Sequence, residues 1–136
     1  MSYLVAYVAT ALVFFGLDYI WLSRVATGFY RERMGHLLLD QPNLVAAGLF
    51  YCVYVAGIVY FAVAPSLNNG SAASALFAGA VLGLIAYGTY DMTNLATVKN
   101  WSIAVTFVDI AWGTVLTGVS AWAGYLATAR IIGSAG

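Results

Sequence analysis

Residues Ser102 to Ala127 read SIAVTFVDIAWGTVLTGVSAWAGYLA, and a single charged side chain, Asp109, interrupts the run. A helix needs about 20 predominantly apolar residues to cross the hydrocarbon layer of a bilayer, and this stretch is longer than that. Three runs of the same kind precede it, at Ser2 to Ser23, Asn43 to Ala64 and Ser71 to Leu95. Asp40-Gln41-Pro42 is read as a cap with a first-turn proline, and Pro65 as the stop of the second run. Ser71 and Ser102 are read as caps of the third and fourth. The pattern predicts an all-α integral membrane four-helix bundle, with residues 1–136 forming a single transmembrane domain.

Composition agrees with that reading. The chain is 63% hydrophobic and 7% charged, against roughly 45–50% apolar and 25% charged in soluble domains. Five Lys and Arg balance five Asp and Glu, so no basic surplus is present to neutralise phosphates, and nucleic-acid binding is excluded. The single cysteine, Cys52, supplies neither an internal disulfide nor a paired metal site. The first run has no basic leader and is longer than a signal-peptide core, so it is read as a retained helix.

Orientation is read from Lys and Arg in the short loops. Arg24, Arg31 and Arg33 follow the first run and Lys99 follows the third, whereas the loop from Pro65 to Gly70 carries no charge. The expectation is a multi-pass protein of a bacterial inner membrane with both termini outside the cytoplasm. Trp21 and Trp101 are then belt residues at the inner interface, with Tyr3, Tyr60, Trp122 and Tyr125 at the outer one. In the first cytoplasmic loop Ala26, Phe29, Tyr30, Met34 and Leu37 fall on one broad helical face, which predicts a short interfacial helix on the inner leaflet. His36, the single histidine, is read as a polar surface residue of that loop, with a role as a ligand or pH switch the alternative.

Charged side chains within a bilayer-crossing helix cost at least about 2.5–3.5 kcal/mol each and mark function by default. Asp18, Asp91 and Asp109 are three such groups. At 1.5 Å rise per residue, Asp91 lies about 6 Å, Asp18 about 7.5 Å and Asp109 about 10 Å from the cytoplasmic boundary of its helix. Three carboxyl groups on three helices thus share one layer. Asp91, the shallowest, can also be read as exposed to headgroup water. No basic residue lies within the runs to pair with the three. Arg24 and Lys99 are close enough to snorkel towards the layer, but two boundary cations do not neutralise three carboxylates, so protons or a bound cation must supply the balance.

Tyr87, Asp91 and Asn94 are spaced to share one helical face, and Tyr90 lies beside them. Trp112, near the midplane, either lines a cavity or faces lipid. Thr93 and Asn94 can coordinate a hard cation with the carboxylates or cap the helix end. Asp18-x-x-Trp21 is echoed by Asp109-x-x-Trp112, but two matched residues do not establish a repeat. Ala75, Gly79 and Gly83 form a small-residue stripe that favours close helix approach, primarily to another helix of the same chain. The stripe also offers a face for a homodimer.

The segment Tyr87-Gly88-Thr89-Tyr90-Asp91-Met92-Thr93-Asn94-Leu95-Ala96-Thr97, then Trp101 and Asp109-Ile110-Ala111-Trp112-Gly113-Thr114, together with Asp18-Tyr19-Ile20-Trp21-Leu22, resembles a family of small four-span bacterial inner-membrane proteins of unassigned function. The resemblance covers essentially the whole chain and implies a membrane bundle, with no catalytic residue to carry over. The residues themselves favour a small binding or transport protein. In it Asp18, Asp91 and Asp109 take up a proton or cation beside a pocket for a hydrophobic, lipid-like or amphipathic molecule, near Tyr87, Tyr90, Asn94 and Trp112. No cofactor is predicted, although a hard cation fits the oxygen donors. A lipid enzyme using carboxyl acid–base chemistry and a noncatalytic accessory subunit are the alternatives. The enzyme ranks lower, because no HExxH motif, phosphate loop or nucleophile beside a base is present.

Overall fold

The structure is a computed structural model, and it describes residues 2–39 and 41–132. Four long apolar helices account for most of them: α1 Ser2–Leu37, α2 Leu44–Asn68, α3 Ala72–Thr97 and α4 Ile103–Ile131. No strand occurs among the described residues. The expected membrane-spanning all-α bundle is the architecture found.

Side-chain oxygens set the helix starts. Asn43 accepts the Ala46 N–H and opens α2. Ser71 and Ser74 exchange side-chain bonds with each other's N–H at the start of α3, and Ser102 accepts from Val105 at the start of α4. Each satisfies one of the orphan donors of a helix N-terminus. The expected caps at Ser71 and Ser102 are thus in place. At the start of α2 the cap is Asn43, with Pro42 in the connection before it. Asp40, the first member of the expected capping sequence, lies outside the described residues.

Two expectations about helix ends are corrected. Pro65 does not stop the second run. A wide π-type turn over Val59–Val63 leads directly into a further helical stretch, Ala64–Asn69, with the proline in its first turn. Local π adjustment is a known means of accommodating the missing proline N–H inside a membrane helix. Nor does a loop separate the first run from the expected short helix. That helix forms over Thr27–Met34, but a second π-type turn, Leu22–Ala26, joins it to the first run without a break. On its expected apolar face Ala26 and Met34 are buried against protein, whereas Leu37, beyond the helix end, is exposed. Tyr30 reaches α4.

Neighbouring helices run antiparallel. Gly79 and Gly83 of α3 lie against Ala121, Gly118 and Thr117 of α4, and this seam is the most extensive in the molecule. A Cβ on Gly79 would sit 2.7 Å from the Ala121 Cβ and 2.8 Å from the Thr117 carbonyl oxygen, so the backbones meet only because glycine is there. The small-residue stripe therefore packs within the chain. α4 also lies along α1, with Gly124 against Thr10. Around this axis Phe14, Val55, Ile58, Val63 and Leu116 form the core. The close approach of α2 to α3 involves the later part of α2, from Val59 onward, while Leu44–Ile58 packs on α1.

Candidate functional site

The small-residue seam ends where Tyr87 of α3 packs its ring against Gly113 of α4. Beyond that point the facing residues become aromatic and acidic, and the four helices enclose a cavity of about 650 Å³. Tyr54 closes its inner limit, sharing a 2.9 Å hydrogen bond with Thr117 and an edge contact with Tyr87.

All three intramembrane carboxyl groups line this cavity. The convergence expected from helical rise alone is therefore present, but the three surroundings differ. Asp18 of α1 is 6% exposed and accepts the Trp112 indole N–H at 3.2 Å, with Tyr51 of α2 alongside. Asp109 of α4 is half-buried and accepts the Tyr30 hydroxyl at 2.7 Å. Asp91 of α3 is 0% exposed and lies close to Asp109, but neither of its oxygens has a hydrogen-bond partner. The alternative of headgroup exposure for Asp91 is thereby overturned. The shallowest of the three along its helix is thus the least exposed.

Among the described residues, no Lys, Arg or His lines the cavity. Arg24 and Lys99 are exposed, and the ion pair found among the described residues joins Arg33 to Glu32. Snorkelling cations thus do not neutralise the layer. Nor do the described residues gather three His, Cys, Asp or Glu side chains closely enough to hold a metal ion.

Trp112 lines the cavity, with its ring stacked on Trp21 at 4.4 Å between centroids and 4° between planes. The two Asp-x-x-Trp segments therefore meet in space. Trp21 and Trp101, expected in the interfacial belt, belong to the cavity wall instead, and both indole N–H groups are buried without a partner. Tyr90 stands at the rim, 57% exposed, edge-on to Trp101. Asn94 is not brought to the wall. It stays half-buried, and its backbone carbonyl accepts the Val98 N–H at the end of α3.

Sequence reasoning misses Tyr30, Tyr51 and Tyr54. Tyr51 and Tyr54 are three apart on α2 and share a face, but nothing in that helix marks the face as functional. Tyr30 falls in a segment that reads as a surface helix, so its reach to Asp109 is hidden from the sequence.

Taken together, the fold and site define a polytopic helical membrane protein with an acidic, aromatic cavity between its helices. Its sequence from residue 3 to residue 126 matches the family described as predicted membrane protein, DUF2177, and the chain belongs to that family. No curated protein and no solved structure matches it.

Proposed function

We propose that this is a small binding or transport protein that holds a proton between Asp91 and Asp109 and takes a hydrophobic or amphipathic molecule into the adjoining cavity. The observation that carries this reading is the Asp91 carboxyl, wholly enclosed, without a hydrogen-bond donor and beside a second carboxyl. Two carboxylates cannot donate to each other. A proton shared between them supplies the missing hydrogen bond and removes one buried charge, and such a proton belongs to the pair. Other titratable groups face Asp91 from the neighbouring helices, namely Asp18 and Tyr30 on α1 and Tyr51 and Tyr54 on α2. Tyr87 and Tyr90 accompany it on α3.

The route for the ligand is lateral. Since Leu44–Ile58 packs on α1 and not closely on α3, the cavity margin runs between exposed Phe50 and exposed Tyr90. A lipid-soluble molecule enters there from the bilayer without crossing water. The basic loops support an orientation in which this end of the bundle faces the cytoplasm of a bacterial inner membrane and both termini face outward. Reporter fusions at the two ends would check that orientation.

Infrared titration of the protein in nanodiscs tests the proton site. A protonated carboxyl band that titrates in the wild type and is lost in Asp109→Asn is the expected result. Identical carboxyl spectra for the two proteins at every pH would sink the reading. Native mass spectrometry of the same pair then asks whether a co-purified small molecule depends on Asp109.

A further inference from the structure

We propose that the cavity recognises a lipophilic organic cation, a molecule whose positive charge is spread over or shielded by an apolar body. This deepens the proposed function and rests on it.

Charge balance supplies the first argument. Three carboxyl groups line the cavity, and neither oxygen of fully buried Asp91 has a partner. No Lys, Arg or His among the described residues lines the same space, so with one proton shared between Asp91 and Asp109 the wall still carries negative charge that a cationic guest can offset. An anionic guest would add like charge in a low dielectric, where repulsion is strong. A neutral guest would leave the remaining negative charge of the wall uncompensated in that low dielectric.

The wall chemistry sets the class of cation. A hard metal ion such as calcium needs six or more oxygen ligands, and no cluster suited to a metal is present among the described residues. What surrounds the carboxyl groups is aromatic: the stacked pair of Trp21 and Trp112, with Tyr54 and Tyr87 deeper in and Trp101 with Tyr90 at the rim. Aromatic faces attract a weakly hydrated organic cation, all the more strongly when it is desolvated. The volume of about 650 Å³ falls within the range that holds drug-sized molecules, roughly 300–1,000 Å³. The lateral margin admits such a molecule from the membrane, where a lipophilic cation concentrates.

Tetraphenylphosphonium and tetraphenylborate are nearly equal in size and shape and opposite in charge, so they separate charge recognition from partitioning. Binding to the full chain in detergent micelles is followed by quenching of tryptophan fluorescence, with protein-free micelles as the blank. The expected result is saturable binding of one phosphonium per chain, no saturable binding of the borate, and a weakening on the order of tenfold or more in Asp91→Asn, given the strength of desolvated cation contacts. In the wild type, phosphonium affinity should fall as pH is lowered through the range in which the infrared carboxyl band titrates, because proton and cation compete for the same carboxyl pair.

Equal binding of the two ions, or phosphonium binding insensitive to both Asp91→Asn and pH, overturns the cation assignment. In that case an intact infrared titration leaves the proton site standing, whereas loss of that titration removes the proposed function itself. If Asp91→Asn fails to fold, Asp109→Asn and the wild-type pH series separate the same two outcomes.

Discussion

The two halves of the bundle use the same helices for opposite ends. On the side of the α2–α3 connection, α3 and α4 touch through Gly79, Gly83, Thr117, Gly118 and Ala121. Little space remains along this seam, and the side chains there are small or uncharged. On the side of the α3–α4 connection, the same two helices present Tyr87, Asp91, Asp109 and Trp112, and a cavity opens between them. The divide falls within one helical turn, where Tyr87 lies on Gly113. Without a hydrophobic force between helices in lipid, close backbone packing holds the bundle together. The packed half therefore stabilises a scaffold on which the hollow half can keep groups that favour a ligand over stability.

The packed half should break most severely. Gly83 faces the Gly113 carbonyl and lies 2.8 Å, measured from an added Cβ, from the Thr117 Cβ. Backbone cannot step aside as a flexible side chain can, so Gly83→Leu should cost about 3 kcal/mol, the upper part of the usual overpacking range. Gly16 is exposed with open space around it, and Gly16→Leu should change stability by less than about 0.5 kcal/mol. Reversible unfolding in mixed micelles measures both. Similar losses in the two variants would mean that the glycine seam is not what holds the helices.

The hollow half should respond with the opposite sign. A buried polar atom without a partner costs about 1–3 kcal/mol, and even with a proton shared with Asp109 one oxygen of the buried Asp91 carboxyl has none. Asp91→Leu is therefore expected to raise stability by about 1 kcal/mol, while removing the protonatable pair. Asp18→Leu, which leaves the Trp112 N–H without its acceptor, should lower it. A destabilised Asp91→Leu would show that the carboxyl contributes to the scaffold, and the contrast between the halves would weaken.

How far each half is legible follows from the same physics. Apolar length and the capping serines announce the bundle, and the Gly79 and Gly83 stripe announces close packing, because these are local properties of sequence. The three aspartates announce a site because the cost of an intramembrane charge depends on residue type and depth. The roles of Tyr30, Trp21 and Trp101 are not legible. Tyr30 depends on α1 continuing through the Leu22–Ala26 turn, which leaves no composition signal, and Trp21 and Trp101 stand at the ends of apolar runs, where a belt position and a cavity-wall position read alike. The Asp-x-x-Trp echo does hold usable information, since two such segments on antiparallel helices at one depth are placed to meet. Asn94 shows the reverse error: regular spacing puts it on the face of Asp91, but the helix closes there through its backbone.

The finest comparison sets one polar contact in each region against the other. Tyr54 and Thr117 share a 2.9 Å bond at the divide, between residues fixed by close packing. Trp112 reaches Asp18 across 3.2 Å at the cavity wall. Interhelical bonds of this type average about 0.6 kcal/mol in membranes, so neither Tyr54→Phe nor Trp112→Phe should unfold the protein. The tyrosine change should show the larger loss of stability, because the Thr117 hydroxyl has no room to find another partner. Trp112→Phe should leave stability within about 0.5 kcal/mol of the wild type, by the same average, since its ring still covers Trp21. Its effect should appear instead in the pH dependence of the carboxyl band, as Asp18 loses the donor that holds it. Equal stability losses with an unchanged band would mean that the cavity wall is as rigid as the packed seam, and that the Asp18 contact serves structure alone.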